Sequence, residues 1–231
     1  YRVYAPDLLG FGLSERPAIS YDDELYIALI SDFLRDVIGA PAVVIASSLS
    51  CSFVVATAVR HPERISKMVL IAPVGLKELR GSLPVVGDLL NRFVQSPVVG
   101  EGFFNLLTSA PSLRFFLDRQ GYHDSSLITP DMIDYNYSTT HQPNARYAPA
   151  AFISGKLNRD LRGEWPQVRQ PTLLAWGYFA TTTPAKNGTE FLRLNPRAVV
   201  NGYDANLLPH DEQAERFNRD TLAWLEGRRK D

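Results

Sequence analysis

Short apolar runs alternate with helical patterns in the first third of the chain. The runs at 43–45 and 67–72 are typical of buried strands, and residues 1–5 have strand character. Residues 21–38 and 53–60 carry apolar side chains at helical spacing. Strands and helices that alternate through short connections predict a parallel sheet covered by helices on both faces.

The pattern changes after residue 75. Residues 75–162 show no clear buried strand, and aromatic-rich helical pieces alternate there with turn-rich joints. Strand character then returns at 170–176 and 197–203, each followed by a helical pattern, the last one at 211–225. We therefore predict three segments: the first part of an α/β core at 1–75, an inserted helical lid at 76–162, and the second part of the core at 163–231.

A group of small residues separates the strand at 43–45 from the helix that follows it. Residues 46–50 read A-S-S-L-S, which is typical of a nucleophile elbow with Ser48 in the nucleophile's place. The elbow needs small residues two before and two after the nucleophile, because the strand and helix backbones pass close together there. Alanine and serine meet that need less easily than glycine. An ordinary strand–turn–helix would give the same pattern.

Four further motifs surround this elbow in a fixed order. Residues 6–14 (P-D-L-L-G-F-G-L-S) are similar to a D-x-x-G-x-G-x-S loop, and residues 61–64 (H-P-E-R) to a histidine–proline turn. Residues 171–177 resemble the strand that leads to a catalytic acid, and residues 208–212 the loop after a catalytic histidine. Together these motifs resemble the α/β-hydrolase fold family, of the lidded esterase-like and peptidase-like kind. The resemblance implies an α/β fold over nearly the whole chain but does not establish activity.

The resemblance also implies a serine nucleophile that is activated by an imidazole, which an acid orients. Ala180 stands where the family motif W-G-x-x-D has its acid, and Leu207 stands where the motif has its histidine. His210 is the only histidine in the right region, so Ser48 and His210 are the predicted catalytic residues. The backbone N–H of Leu49 is the predicted oxyanion donor.

His210 also has a non-catalytic interpretation. The resemblance makes it a supporting residue at the start of the last helix, and it would reach Ser48 only through a rearranged loop. Asp204 and Asp211 flank it and could orient its ring, although carboxylates there are more typical of a turn or a helix start.

The chain starts at Tyr1, beyond the place where the family has the loop that supplies a second oxyanion donor. We therefore expect an N-terminally truncated hydrolase fold. Two alternatives follow: the sequence is a fragment, or the protein is a shortened member whose first strand pairs with the strand at 43–45.

Composition narrows the possible partners. The formal net charge of −1 gives no electrostatic case for nucleic acid or an acidic membrane surface. No apolar run approaches the roughly 18–20 residues of a transmembrane segment. A single cysteine, Cys51, predicts a small buried residue and a reducing, cytoplasmic location. No metal-ligand spacing and no dinucleotide-type glycine pattern occur, so we expect no metal and no cofactor.

Three functions fit these observations. The first is an esterase-like serine hydrolase in which Ser48 attacks a carbonyl carbon. The second is a non-catalytic hydrolase-fold protein that binds a small apolar or ester-like molecule under the lid. The third is a truncated relic without activity. The loss of both activating residues favours the second or third for this chain and argues against efficient triad catalysis, and the sequence leaves the oligomeric state open.

Overall fold

The apolar runs of the sequence form the strands of one parallel sheet. The computed structural model describes residues 1–76 and 84–227. Within them the strands are β1 (Ala42–Ser47), β2 (Ile65–Ile71), β3 (Thr172–Gly177) and β4 (Val199–Tyr203), hydrogen-bonded in the order β1-β2-β3-β4. Every neighbouring pair is parallel. The four corresponding strand predictions are confirmed.

The remaining described residues include ten α-helices. They are α1 (Asp23–Phe33), α2 (Ser50–Arg60), α3 (Pro84–Gln95), α4 (Val99–Leu107), α5 (Ala110–Phe116), α6 (Pro130–Thr140), α7 (Tyr147–Ile153), α8 (Gly188–Leu194), α9 (Pro209–Glu212) and α10 (Ala214–Leu225). A π-helical turn at Leu34–Ile38 extends α1, and Gly39 ends it with φ +67°. The described residues between β2 and β3 contain no strand, as the sequence pattern predicts. None of the described helices is long and apolar enough to cross a membrane.

The strands alternate their side chains between two apolar clusters, one on each face of the sheet. The α2-side cluster includes Ala46, Cys51, Val54, Met68, Leu70, Leu174, Trp176, Ala180 and Phe191. The α10-side cluster consists of Val69, Ile71, Leu173, Ala175, Tyr203, Ala205 and Phe217, with Trp224 packed against it. Helices α2 and α8 thus line one face and α10 the other, which is the layered arrangement that the sequence predicts.

The described residues divide into two compact units. The first holds residues 1–26, 84–116 and 128–158, and is built from helices α3 to α7 with the N-terminal loop. The second holds residues 27–76, 117–127 and 159–227 and contains the whole sheet. The lid predicted at 76–162 and the two core segments stay predictions, because a division by contacts does not test those boundaries.

One prediction about the elements is wrong, and the boundaries of another are corrected. Residues 1–5 form no strand, and Tyr1 and Val3 are each 83% exposed. Strand-forming side chains do not make a strand without a hydrogen-bonding neighbour, and β1 pairs with β2 alone among the described strands. The closing helix is also interrupted: α9 ends at Glu212, and Gln213, with φ −128°, precedes α10.

Candidate active site at the turn between β1 and α2

Ser48 lies at the sharp turn that joins β1 to α2. Its φ of +53° is in the left-handed region, which residues other than glycine seldom adopt. This conformation costs an L-residue about 1–2 kcal/mol, so the surrounding structure must hold it in place. A strained serine between a strand and a helix is the geometry of the nucleophile elbow.

Neighbouring serines stabilise this turn with short local hydrogen bonds. The Ser50 hydroxyl donates to the carbonyl oxygen of Ser47 at 2.8 Å and accepts from the Ser47 N–H at 3.2 Å. The Ser52 hydroxyl donates to the carbonyl oxygen of Leu49 at 2.7 Å. Cys51 is fully buried, which confirms that prediction, and burial raises the pKa of its thiol. Residues 46–52 (A-S-S-L-S-C-S) therefore supply both the small volume and the hydroxyl groups that the turn uses.

Leu49 is the N-cap residue of α2, with φ −62° and ψ −41°. The first N–H groups of a helix have no acceptor within the helix and carry its positive end. The residue after Ser48 therefore belongs to the part of α2 that is suited to a negatively charged oxygen. The oxyanion role of Leu49 stays a prediction.

Ala180 and Leu207 both belong to apolar surroundings on the same side of the sheet. Ala180 is 6% exposed within the α2-side cluster, and Leu207 packs against that cluster. The positions that the resemblance assigns to the acid and the histidine therefore hold no ionisable group, and they pack as core residues instead.

The loops that carry these two positions are in direct contact. The Phe179 N–H donates to the carbonyl oxygen of Ala205 at 3.0 Å. A Cβ atom at Gly177 would lie 1.8 Å from the carbonyl oxygen of Asn206, so only glycine allows the loops to approach this closely. The fold thus brings together the two loops that hold Ala180 and Leu207.

His210 lies in α9 and packs on the other side of the sheet. Its ring meets Phe217 of the α10-side cluster edge-on, with the ring centroids 6.0 Å apart. Its Nδ1 is buried and makes no hydrogen bond. Burial lowers the pKa of His210, against an opposing effect of Asp211, so the ring is neutral at neutral pH. Within the described residues, no hydrogen bond joins the Ser48 hydroxyl to His210.

The two acidic residues that flank His210 are hydrogen-bonded to groups other than its ring. The Asp211 carboxylate accepts a hydrogen bond from the hydroxyl of Tyr122. Burial raises the pKa of Tyr122 above its ordinary value. The carbonyl oxygen of Asp204 accepts from the Gln213 side chain at 2.8 Å. In the described structure neither carboxylate is hydrogen-bonded to the ring, as an orienting acid would be.

Sequence reasoning missed Glu212 as an organiser of this region. Its carboxylate accepts the backbone N–H groups of Asn206 at 2.6 Å, His123 at 2.7 Å and Asp124 at 3.1 Å. These bonds join the loop before α9 to a segment almost ninety positions earlier in the chain. No local pattern signals such a contact. Among the residues that the structure describes, no cluster of three or more His, Cys, Asp or Glu side chains could hold a metal ion.

A parallel sheet flanked by helices, with a strained serine between a strand and a helix, defines the α/β-hydrolase class. The model of the alpha/beta hydrolase family matches residues 1–220. The chain belongs to this family.

Curated relatives carry hydrolase names. A 2-hydroxymuconate semialdehyde hydrolase from Pseudomonas putida is 30% identical over 156 residues, which are 66% of this chain and 48% of the relative. A 2-hydroxy-6-oxo-2,4-heptadienoate hydrolase from Pseudomonas putida strain F1 is 27% identical over 206 residues, 84% of this chain and 66% of the relative. The chain thus spans about half to two thirds of the length of these relatives.

Solved structures show the same fold. A mutant of the meta-cleavage product hydrolase CumD has a TM-score of 0.74 at 23% identity, with 98% of this chain and 80% of that chain covered. An esterase from Thermogutta terrifontis has a TM-score of 0.71 at 22% identity, with 97% and 79% covered. At these identities the likeness establishes the fold and leaves the chemistry open.

Proposed function

We propose that this chain is an α/β-hydrolase-fold protein that holds a small ester-like or other carbonyl compound at the Ser48 elbow and lacks efficient triad turnover. One contrast carries the proposal. The elbow keeps its strained serine, with φ +53°, whereas Ala180 and Leu207 are apolar residues that pack on one cluster. The binding part of the site is therefore retained, and the activating part is replaced.

The rate of hydrolysis at Ser48 depends on the acid and the imidazole, whose positions Ala180 and Leu207 occupy. A serine hydroxyl is a poor nucleophile until a positioned imidazole takes its proton, and an acid must orient that imidazole. Removal of a triad member from a serine protease lowers kcat by about 10⁴-fold to 10⁶-fold. Both activating positions are substituted here, so hydrolysis at Ser48 falls to what binding and an oxyanion donor can supply.

The kind of ligand is proposed from the relatives' names. They are hydrolases of 2-hydroxymuconate semialdehyde and of a 2-hydroxy-6-oxo-dienoate, which are small compounds with carbonyl groups. A carbonyl oxygen can accept a hydrogen bond from the N–H that follows Ser48 even where no attack follows. We therefore place the ligand's carbonyl group at Leu49.

A second candidate is an active hydrolase in which His210 serves as the base. One observation favours it: the Nδ1 atom of His210 is buried and has no hydrogen-bond partner, which leaves it free to accept a proton. Its packing on Phe217 counts against it, because that contact lies on the α10 side, whereas α2 packs on the opposite face. The position of this contact is why we prefer the first candidate.

Labelling with a fluorophosphonate probe separates the two candidates. It is applied to the wild-type chain, Ser48→Ala and His210→Ala, each shown by circular dichroism to be folded. We expect no labelling of any of them. Labelling that disappears in both variants would establish an active Ser48–His210 pair, and labelling lost in Ser48→Ala alone would reveal another activating group. Either result would contradict the loss of activation.

Binding is tested separately, because it does not require turnover. Saturation-transfer NMR with phenyl acetate detects contact with the folded chain, and Ser48→Trp fills the elbow with a bulky side chain. We expect a saturable signal in the wild-type chain that Ser48→Trp abolishes. A signal that is absent, or unchanged in Ser48→Trp, would disprove binding at the elbow.

A further inference from the structure

The first compact unit contains a small polar cavity of about 60 Å³. Its walls come from α4, from the C-terminal end of α6 and from the segment that leads into α7. Its lining includes Glu101, Phe104, Gln142, Ala145 and Arg146. The volume is about that of two molecules of liquid water, so the cavity suits a very small ligand or a single head group.

The orientation of the Gln142 amide is fixed by a buried arginine. Arg16 Nη1 donates to Gln142 Oε1 at 2.6 Å. A guanidinium group can only donate hydrogen bonds, so the amide oxygen must face Arg16. The amide NH₂ of Gln142, which carries two donors, is then directed away from Arg16. Gln142 therefore offers donors, rather than an acceptor, on its other side.

Arg16 leaves a positive charge next to the cavity wall without a carboxylate partner. It is 9% exposed, and its remaining hydrogen bonds go to the carbonyl oxygens of Gly12 and Ser14. Its Nε is buried and makes no hydrogen bond, and no ion pair involves Arg16 within the described residues. A buried charge is costly unless an opposite charge compensates it. The surroundings of Gln142 thus favour a negatively charged ligand.

Arg146 adds a second positive group at the cavity. Its side chain is 13% exposed, and its Nε donates to the carbonyl oxygen of Gln95 at 3.3 Å. Its Nη1 lies 3.4 Å from Glu101 Oε2, which is longer than the usual 2.7–2.9 Å of a charged hydrogen bond. The Glu101 side chain is 56% exposed, so its attraction for Arg146 is weakened by solvent. An incoming carboxylate can replace Glu101 at this arginine.

We propose that this cavity binds a small carboxylate, with its oxygens on the Gln142 amide and the Arg146 guanidinium. Phe104 and Ala145 are buried and provide an apolar wall for the ligand's carbon atoms. Glu101 competes with the ligand for Arg146 and limits its affinity. The site and its ligand are independent of the function proposed at Ser48, since none of these residues belongs to the elbow.

The proposal is tested by NMR titration of the full chain with ¹³C-labelled acetate, compared with chloride at equal ionic strength. The decisive variant is Gln142→Glu, which is isosteric, gives Arg16 a carboxylate partner and places a negative charge where the ligand would lie. We expect saturable acetate binding in the wild-type chain and affinity at least about tenfold lower in Gln142→Glu. Gln167→Glu, which makes the same charge change at an exposed position, should bind like the wild type.

Glu101→Gln tests the competition directly, and removal of its charge should strengthen acetate binding several-fold. Acetate effects that chloride reproduces, or equal affinity in Gln142→Glu and Gln167→Glu, would overturn the proposal. A negative result here would leave the function proposed at Ser48 untouched, because probe labelling and the effect of Ser48→Trp on phenyl acetate binding report on the elbow.

Discussion

The backbone N–H of Ser48 donates to the carbonyl oxygen of Ile71 at 2.7 Å. Ser47 is already paired with Ile71 in the parallel register of β1 and β2, so this bond continues the ladder one residue beyond the end of β1. The left-handed backbone of Ser48 is thus hydrogen-bonded to β2 immediately before α2 begins. With the local serine hydrogen bonds, this bond helps to hold the strained turn in place.

Ser48→Gly should leave the chain at least as stable as the wild type. Glycine adopts φ +53° without the steric cost of a side chain, and this offsets its larger entropy in the unfolded state. Ser47→Gly, one residue earlier in the strand, has only the entropic cost and should lose about 1 kcal/mol. Urea unfolding of the two variants measures the difference. A loss in Ser48→Gly as large as that in Ser47→Gly would show that no strain is stored at Ser48.

Restoring both missing groups should restore activity. Ala180→Asp alone should lower the free energy of unfolding by about 2 kcal/mol, because it places a carboxylate in an apolar cluster without a partner. Combined with Leu207→His, it should raise the rate of p-nitrophenyl acetate hydrolysis by about 10²-fold over the wild-type chain.

The control for this gain is the same double variant with Ser48→Ala, which should return to the wild-type rate. A gain that survives the loss of Ser48 would come from the new histidine acting alone. It would then contradict the assignment of Ser48 as the nucleophile position.

His210 should make the stability of the chain depend on pH. Burial lowers its pKa in the folded state below the ordinary histidine value of 6.5, so the unfolded chain binds more protons in the range just below that value. The contribution of neutral His210 is therefore complete above pH 6.5 and is lost as the pH falls through the folded-state pKa. Urea unfolding at pH 7.5 and 5.5 should show this loss in the wild-type chain and less of it in His210→Gln.

His61→Gln is the matched control for this experiment, since it removes a histidine whose side chain is not buried. It should keep the pH dependence of the wild-type chain. Equal slopes in His210→Gln and the wild type would mean that the buried ring does not respond to pH in this range.

Glu212→Ala should destabilise the loop that precedes α9. It removes the acceptor of three backbone N–H groups, and the N–H of Asn206 is partly buried. We expect the free energy of unfolding to fall by about 1–3 kcal/mol. Limited proteolysis should also cut residues 121–124 faster. Glu215→Ala, an exposed position in the first turn of α10, should change neither quantity. Equal behaviour of both variants would remove Glu212 from this role.

The strands of the sheet can be predicted from the sequence because they are short apolar runs bounded by turn residues. The run at 43–45 ends in small residues, and this change of composition predicts the elbow. The wrong strand at 1–5 has the same kind of composition. What distinguishes it is the absence of a described neighbour, and pairing is a property of the folded chain rather than of the segment.

The details of the site depend on contacts that are distant in the sequence. The conformation of Ser48 is held by Ile71, and the position of the loop before α9 by Glu212 and the backbone at 123–124. The His210 ring packs on the α10 side of the sheet because it contacts Phe217. Residue types alone identify these positions, but they do not give the hydrogen bonds and packing that set their geometry.

Cys51 makes the elbow observable without any added label. It is the single cysteine of the chain, it lies three positions after Ser48, and its Sγ is 3.3 Å from the carbonyl oxygen of Ala46. A fully buried thiol reacts with a thiol-specific reagent only when the structure around it opens. The rate of Cys51 modification in the native protein therefore measures how often this turn unfolds locally, and a ligand bound at Ser48 would slow that rate in proportion to its occupancy.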